Sequence, residues 1–347
     1  SSHSMKAAEW EKQSREEAPP TAQEGPTGQF QPVDWEKLLN GPIKPPEWLL
    51  WPLVERGQLA SLYSAPKQGK SLLALEMAAA AAAGNPYFGR RANDPVDVLY
   101  LDQENTETDL RERLTDMGYS PRDLQRLTYL SFPPVPPLDT QNGGKQVAEL
   151  AARFMPDLMV FDTLSKFIEG DENEAATWGR FYRYTALPLR RNGIAALWID
   201  HTGKDAAKGA RGSIAKAADV DTAFSLTYEP RKGTRTLKRE HSRNGHAPEQ
   251  VVLTVNMAPL RHAAMTATES TQHAAIERLI AELDRLGLPN DTGAPTAGKE
   301  LRRKGIQCSS EYLRAAVAHR KERLEEGGRD TPKTDPPRPP LSATPCT

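Results

Sequence analysis

The chain has little cysteine, no excess charge of either sign and no apolar run of membrane-spanning length. Its 347 residues include only two cysteines, Cys308 and Cys346, which cannot form a disulfide or metal framework, so we expect a reducing, cytoplasmic compartment. Lys and Arg number 45 against 46 Asp and Glu, so any nucleic-acid site must be a local patch. The alanine run at 78–83 is far shorter than a bilayer crossing, and we expect no membrane association.

Composition divides the chain into four parts. Residues 1–33 are polar and rich in Glu, Gln, Pro and Gly, and we expect them to be disordered, with residues 1–4 a cloning remnant. Residues 34–258 form the predicted main domain, which is long enough for a sizeable core. Residues 270–327 form a predicted small helical module, and residues 328–347 a disordered proline-rich tail.

Strand and helix patterns alternate through the main domain. Strands are expected at 58–63, 96–101, 127–132, 158–161 and 194–199, and helices at 71–83, 108–117, 145–154 and 175–191. This repetition predicts an α/β fold, a doubly wound and mostly parallel sheet with helices on both faces. Three further runs, at 220–227, 235–240 and 250–255, are expected to add antiparallel strands at one edge.

The C-terminal module contains three predicted helices, spaced as in a helix-turn-helix or small winged-helix domain. Its last helix carries several basic residues: Arg314, His319, Arg320, Lys321 and Arg323. A basic last helix is compatible with DNA binding, and a three-helix module is equally compatible with dimerisation or docking.

The strongest functional motif lies between an apolar strand and an alanine-rich helix. Strand, loop and helix in this order are typical of a P-loop, whose backbone N–H groups surround nucleotide phosphates. The predicted nucleotide-binding residues are Ser64, Ala65, Pro66, Lys67, Gln68, Gly69, Lys70 and Ser71. Gly69 allows a tight turn, Lys70 offers an ammonium to the β- and γ-phosphates, and Ser71 offers a hydroxyl to Mg²⁺. The standard motif begins with Gly, where this chain has Ser64. The motif predicts binding of ATP or GTP.

Two other strands are followed by carboxylates at the sheet edge where the P-loop is expected. The run at 158–161 ends in Asp162, a candidate for holding Mg²⁺ through a water molecule. The neighbouring strand is followed by Glu104, a candidate general base for the attacking water. Asp102 or Glu107 could fill this role instead, because spacing alone does not choose among them.

A third strand ends in Asp200 and His201, where a polar side chain could respond to the γ-phosphate. The loop that follows contains Lys204, Lys208 and Arg211 among Gly and Ala. Such a loop suits the phosphate backbone of a nucleic acid, or it is a solvated crossing.

Together these segments resemble the RecA-like ATPases, and most closely the plasmid and phage RepA-type and DnaB-type hexameric helicases, an AAA_25-like family. The resemblance covers about residues 40–257 and rests on the P-loop, "YLDQEN", "LMVFDTLSKF", "LWIDHTGK", "KGARGS" and "SRNG". It implies ATP and Mg²⁺ as cofactors, and this branch often lacks the leading Gly. The implied roles are phosphate and metal binding for Lys70 and Ser71, catalytic base for Glu104, second magnesium residue for Asp162 and γ-phosphate sensor for His201.

Members of this branch complete each ATP site with a basic residue from the next subunit of a ring. Arg211 and Arg243 match such positions. Around the position of Arg243, relatives often show Lys-x-Arg-Asn-Gly, and here His241 replaces the lysine.

The resemblance implies a Mg²⁺-dependent ATPase that forms a homo-oligomer, expected to be a hexamer. The ring would thread single-stranded DNA past Lys204 and Lys208 and act as a helicase or translocase in plasmid or phage replication, with other replication proteins as further partners. The alternative is an accessory or regulatory ATPase that binds DNA or a partner without unwinding. The missing lysine and the near-neutral charge favour this alternative slightly.

Overall fold

The computed structural model of the protein describes residues 32–172, 174–201 and 219–327. The chain divides into two compact units, residues 1–45 and residues 46–347. In the first unit, α1 (Trp35–Asn40) begins after Asp34, whose side chain accepts a hydrogen bond from the Lys37 backbone N–H. Among the described residues, no helix combines the length and the apolar composition that crossing a bilayer requires.

A large sheet forms the centre of the second unit. Its strands are β3 (Leu59–Ser64), β4 (Val98–Asp102), β5 (Leu127–Ser131), β6 (Leu158–Asp162), β7 (Ala195–His201), β8 (Thr222–Glu229), β9 (Thr234–Ser242), β10 (Gln250–Met257) and β11 (Leu260–Ala264). Within the described residues the spatial order is β11-β10-β9-β8-β3-β7-β6-β4-β5. The strands from β8 to β5 in this order run parallel, and β9, β10 and β11 continue antiparallel. The short strands β1 (Trp48–Leu50) and β2 (Val54–Glu55) pair separately.

The mostly parallel α/β sheet is confirmed, but one detail of its edge was wrong. The run at 220–227 was expected to be antiparallel, whereas β8 pairs with β3 in parallel. The connection from β7 to β8 spans 20 residues, long enough for the crossover that parallel pairing requires. The sequence also gave little signal for β11, because Arg261 and His262 interrupt its apolar pattern.

Helices cover both faces of the sheet. They are α2 (Lys70–Ala83), α3 (Glu107–Asp116), α4 (Gln141–Phe154), α5 (Ala175–Phe181) and α6 (Leu187–Arg191), with a 3₁₀ turn at Leu164–Phe167 and a π turn at Tyr182–Ala186 between α5 and α6. Successive strand residues point to opposite faces. Accordingly Val160 packs in the cluster that contains α2, and Phe161 packs in the cluster that contains α4, α5 and α6. Because β3 to β8 pair in parallel in this part of the sheet, the carboxyl ends of these strands lie at one edge.

In the described part of the C-terminal region, three helices pack around a small core. They are α7 (Ala267–Arg285), α8 (Ala294–Arg303) and α9 (Ser310–Gly327), joined by Leu283, Leu301 and Ala316. The winged-helix class of this module stays a prediction. Lys232, in the turn between β8 and β9, contacts Glu277 of α7 at 3.1 Å.

Two of the basic residues on the last helix bind within the module. Arg320 is buried, and its Nε lies 2.8 Å from Asp284 Oδ1 while its Nη2 donates to the Leu288 carbonyl at 2.6 Å. Arg323 contacts the same carboxylate at 2.8 Å. Arg320 therefore fastens the turn after α7 and cannot belong to a DNA-contacting surface.

Candidate nucleotide-binding and catalytic site

The predicted loop connects β3 to α2. Ser64 is buried, with its Oγ donating to the Ala65 carbonyl at 2.7 Å, whereas Ala65, Pro66 and Lys67 are exposed. Lys67 at φ 63° and Gly69 at φ 88° both adopt the left-handed region, a backbone arrangement that directs successive N–H groups to one side. In the part of the chain that the structure describes, no side chain caps the N-terminus of α2. The free N–H groups there suit an anion.

Lys70 and His201 face each other at the carboxyl edge of the sheet. Lys70 is buried, and its Nζ lies 3.1 Å from His201 Nδ1. An ammonium can only donate, so the facing ring nitrogen must be an unprotonated acceptor. Burial lowers the pKa of Lys70, and the negative charges of Glu104, Asp162 and Asp200 offset this in part.

Asp162 and Ser71 form the candidate metal site. Ser71 Oγ donates to Asp162 Oδ1 at 2.9 Å, and the Tyr100 hydroxyl donates to Oδ2 at 2.7 Å. Burial raises the pKa of Asp162 to about 6, with Asp102 and Glu104 adding to this, while the hydrogen bonds from Tyr100 and Ser71 oppose it. A hydroxyl beside a buried carboxylate is the donor set that fits Mg²⁺ in a P-loop protein.

Glu104 lies between Thr163 and His201 at the carboxyl edge of the sheet. Its Oε2 accepts a short hydrogen bond from the Thr163 hydroxyl, and its Oε1 lies 3.8 Å from His201 Nε2. Burial raises the pKa of Glu104, but the Thr163 hydroxyl and the positive charges of Lys70 and Lys166 act against burial and hold the pKa below its usual value. Glu104 is therefore ionised near neutral pH, as a general base must be.

The structure separates Glu104 from the two alternative bases. Asp102 is buried, and its Oδ1 accepts from the backbone N–H groups of Glu104 at 2.6 Å and Asn105 at 2.9 Å. Its Oδ2 accepts from the Asn105 side chain and from the Tyr129 hydroxyl. Asp102 thus shapes the turn that presents Glu104. Glu107 is exposed at the first turn of α3.

Sequence reasoning missed the tyrosines that hold these carboxylates. Tyr100 and Tyr129 pair in register on β4 and β5, and their rings stack at 4.9 Å. Burial raises the pKa of both phenols, so both remain hydrogen-bond donors. Their types and spacing gave no signal, because the contact depends on which strands become neighbours.

Arg243 lies at the sheet edge opposite the P-loop. Ser242 pairs with Thr222, and Thr222 pairs with Ala60 near the start of β3, whereas the P-loop follows the end of β3. The Arg243 side chain is 55% exposed, and its Nε lies 3.6 Å from Asp221 Oδ1. It cannot reach the phosphate site of its own chain. Lys204, Lys208 and Arg211 lie outside the described residues.

A mostly parallel sheet with a P-loop, a serine–aspartate pair and a glutamate at one edge is the arrangement of a P-loop ATPase. The chain belongs to the AAA_25 family, described as an AAA domain, whose model matches residues 24–207, just over half of the sequence. This confirms the AAA_25 part of the resemblance, and family membership generally implies ATP binding and hydrolysis, usually with Mg²⁺.

The solved structures to which this chain is similar include that of a flagellar accessory protein. The flagellar accessory protein FlaH from Methanocaldococcus jannaschii has a similar crystal structure, with a TM-score of 0.44, 17% sequence identity and coverage of 69% of this chain and 98% of that chain. No curated protein sequence matches the chain.

Proposed function

We propose that this P-loop ATPase is a Mg²⁺-dependent, ring-forming DNA helicase or translocase of plasmid or phage replication. The observation that carries the proposal is the position of Arg243, at the sheet edge away from its own P-loop. An arginine there can serve ATP only if a neighbouring subunit brings its phosphate edge against it. Rings of identical subunits repeat such a head-to-tail contact, and an arginine supplied in this way stabilises the charge of phosphoryl transfer.

Within one subunit the proposed roles follow from the contacts. Lys70 donates to the β- and γ-phosphates, and His201 then has its ring nitrogen available near the γ-phosphate. Ser71 and Asp162 hold Mg²⁺, which when bound supplies neutralisation of phosphate charge. Glu104 orients the attacking water and accepts its proton. Thr163 and Asp102 hold Glu104 in place through its side chain and its backbone.

The proposed nucleic-acid contact is supported by sequence. Lys204 and Lys208 follow β7 in a segment that the sequence predicts to be a basic loop, and cationic side chains in such a loop bind phosphate backbones without sequence preference. Arg211 in the same loop is the second candidate for action on a neighbouring ATP site. A hexamer is the assembly that the resemblance favours.

One observation favours a second candidate, an accessory or regulatory ATPase that binds DNA or a partner without unwinding. Arg243 is paired with Asp221 of its own chain, and the position two residues earlier holds His241 in place of a lysine. A weaker contact between Arg243 and the ATP site of a neighbouring subunit would suit an ATPase that acts as a nucleotide switch better than one that acts as a motor.

The two candidates are separated by three measurements on the full chain. Solution mass is measured with Mg²⁺ and a non-hydrolysable ATP analogue, with and without a single-stranded oligonucleotide. ATPase rates are measured with and without that oligonucleotide, and unwinding is measured on a forked duplex. A ring with stimulated ATPase and unwinding supports the motor. Binding without stimulation or unwinding refutes the motor and supports the accessory role.

A further inference from the structure

The β8–β9 hairpin contacts the P-loop on the side opposite its N–H groups. None of the candidate site residues described above belongs to this hairpin. The backbone N–H of Tyr228 donates to Gln68 Oε1 at 2.6 Å, and Arg235 Nε donates to the Gln68 carbonyl at 3.2 Å. A P-loop turns its N–H groups toward phosphate, which leaves carbonyl groups pointing outward. Arg235 supplies the donor that the outward carbonyl of Gln68 needs.

Arg235 lies close enough to limit the loop sterically. A Cβ placed on Gly69 would meet Arg235 Nε at 2.8 Å. The guanidinium also stacks on the Tyr228 ring, 4.4 Å from its centroid, and such stacking restricts a cationic side chain to one orientation. Arg235 therefore bonds to Gln68 and occupies the space beside Gly69, and its orientation is restricted.

A buried histidine fixes the other end of the guanidinium. Arg235 Nη1 lies 3.0 Å from His262 Nε2 on β11. Arginine can only donate, so Nε2 must be the acceptor and the ring proton must lie on Nδ1. That Nδ1 makes a short hydrogen bond to Glu76 Oε2, and the His262 backbone N–H donates to Glu76 Oε1 at 2.7 Å.

Glu76 closes the connection, because it belongs to α2, the helix that begins at Lys70. Glu76 and the His262 side chain are fully buried, and burial lowers the pKa of Arg235 while Tyr228 and Glu76 raise it. A buried carboxylate needs a positive partner. Here the neutral His262 ring bonds to both Glu76 and Arg235 and so links the carboxylate to the guanidinium. One chain of contacts thus runs from Gln68 through Arg235 and His262 back to α2.

We propose that Arg235 is a positioning residue for nucleotide phosphate binding, which sets the backbone of Gln68 and Gly69 from behind the loop. The inference rests on ATP binding at the P-loop and does not depend on ring formation or unwinding. The loop without Arg235 would occupy its binding conformation for a smaller fraction of the time, and apparent affinity falls by that fraction.

The test compares Arg235→Gln and Arg235→Lys with Arg239→Gln as the matched control. Arg239 lies four residues along β9, away from the P-loop, and also donates to a backbone carbonyl, that of Ala247. Affinity for Mg²⁺–ATP is measured by direct titration, backbone mobility by hydrogen–deuterium exchange in residues 64–72 without nucleotide, and stability by thermal unfolding.

For Arg235→Gln we expect roughly 10- to 100-fold weaker ATP affinity, the loss typical of one charge-assisted hydrogen bond, together with faster exchange in the loop. Arg235→Lys retains the charge but cannot donate to Gln68 and His262 together, so we expect a loss of roughly three- to tenfold. Arg239→Gln should leave both loop readouts unchanged, even if its melting temperature falls.

Wild-type ATP affinity and loop exchange in a folded Arg235→Gln protein would overturn the positioning role. If that variant does not fold, unchanged affinity and exchange in Arg235→Lys overturn it instead. Wild-type protein that fails to bind Mg²⁺–ATP would refute the nucleotide site itself, so the two failures are distinguishable.

Discussion

Replacing Asp162 by Asn should stabilise the metal-free and nucleotide-free protein while abolishing its ATPase activity. Asp162 is fully buried beside two other carboxylates, and burial raises its pKa from 3.8 to about 6. Because the folded-state pKa lies above the unfolded-state value, the folded protein binds more protons between about pH 4 and 6. Its stability therefore falls as pH rises through this range, and the ionised carboxylate destabilises the fold at neutral pH.

The magnitude follows from the two pKa values. A difference of about two pH units corresponds to about 3 kcal/mol of unfolding free energy above pH 6. Asn can accept from the Tyr100 hydroxyl through Oδ1 and donate to Ser71 Oγ through Nδ2, so both hydrogen bonds survive in weaker, uncharged form, which offsets about 1 kcal/mol. The net gain of about 2 kcal/mol should raise the melting temperature by about 5 °C.

The assay is thermal unfolding followed by circular dichroism in EDTA, from about pH 4.5 to 8. The gain in melting temperature for Asp162→Asn should grow from the acid end of this range and level off above about pH 7. Asp116→Asn, at the exposed end of α3, is the control and should change little at any pH. A variant less stable than wild type at pH 8, or a gain that does not depend on pH, would refute the reasoning.

The remaining predictions concern catalysis, assembly and the C-terminal module. Lys70→Ala should abolish ATP binding or turnover, and Glu104→Gln should keep ATP bound while slowing hydrolysis by about two to four decades. Single-turnover measurements check both variants, with Glu107→Gln as a control that should hydrolyse ATP nearly normally. Normal hydrolysis in Glu104→Gln would mean that the general base is misassigned. Arg243→Ala should slow ATP turnover by the assembled ring by about three decades or more. At dilutions where the protein is monomeric, its affinity for ATP should not change. Weaker ATP binding by the monomer would argue against a role for Arg243 at a neighbouring ATP site. Arg320→Met should destabilise the C-terminal module by about 1–2 kcal/mol, because Asp284 and the Leu288 carbonyl lose a charged donor but remain accessible to water. Urea unfolding checks this against Arg314→Met on the exposed face of α9, and equal stability of the two variants would show that the Arg320 contacts contribute little.

The local chemistry of the site could be predicted from sequence because each element carries its own signal. The P-loop lies between a strand and a helix, and Asp162 and Glu104 follow apolar runs. The carboxyl ends of parallel strands meet at one edge of a sheet, so these residues were expected to lie together. The hydrogen bond from Ser71 to Asp162 and the approach of His201 to Lys70 and Glu104 agree with that expectation.

Contacts between distant segments could not be predicted in this way. Arg235 follows Gln68 by 167 residues, and its contact depends on β8 joining β3 in parallel and β9 returning beside it. The sequence indicated strands there but assigned β8 the wrong direction, which would have turned the hairpin away from the P-loop. Arg320 shows a second limit, because the sequence left DNA contact open for this basic residue of the last helix, whereas the side chain is buried and bonds to Asp284.

The site without nucleotide already satisfies most of its own polar groups, and this has a consequence for binding. Ser71 donates to Asp162, and Lys70 faces His201, so Mg²⁺ and phosphate must replace bonds that the protein makes to itself. These groups therefore contribute less to the affinity for Mg²⁺ and phosphate than unpaired groups would, because each new contact requires the loss of an existing hydrogen bond. Within the described ranges, no side chain caps the N–H groups at the start of α2, so a phosphate bound there replaces no such bond. Affinity for the nucleotide should therefore be more sensitive to the backbone of Gln68 and Gly69, and so to Arg235, than to His201.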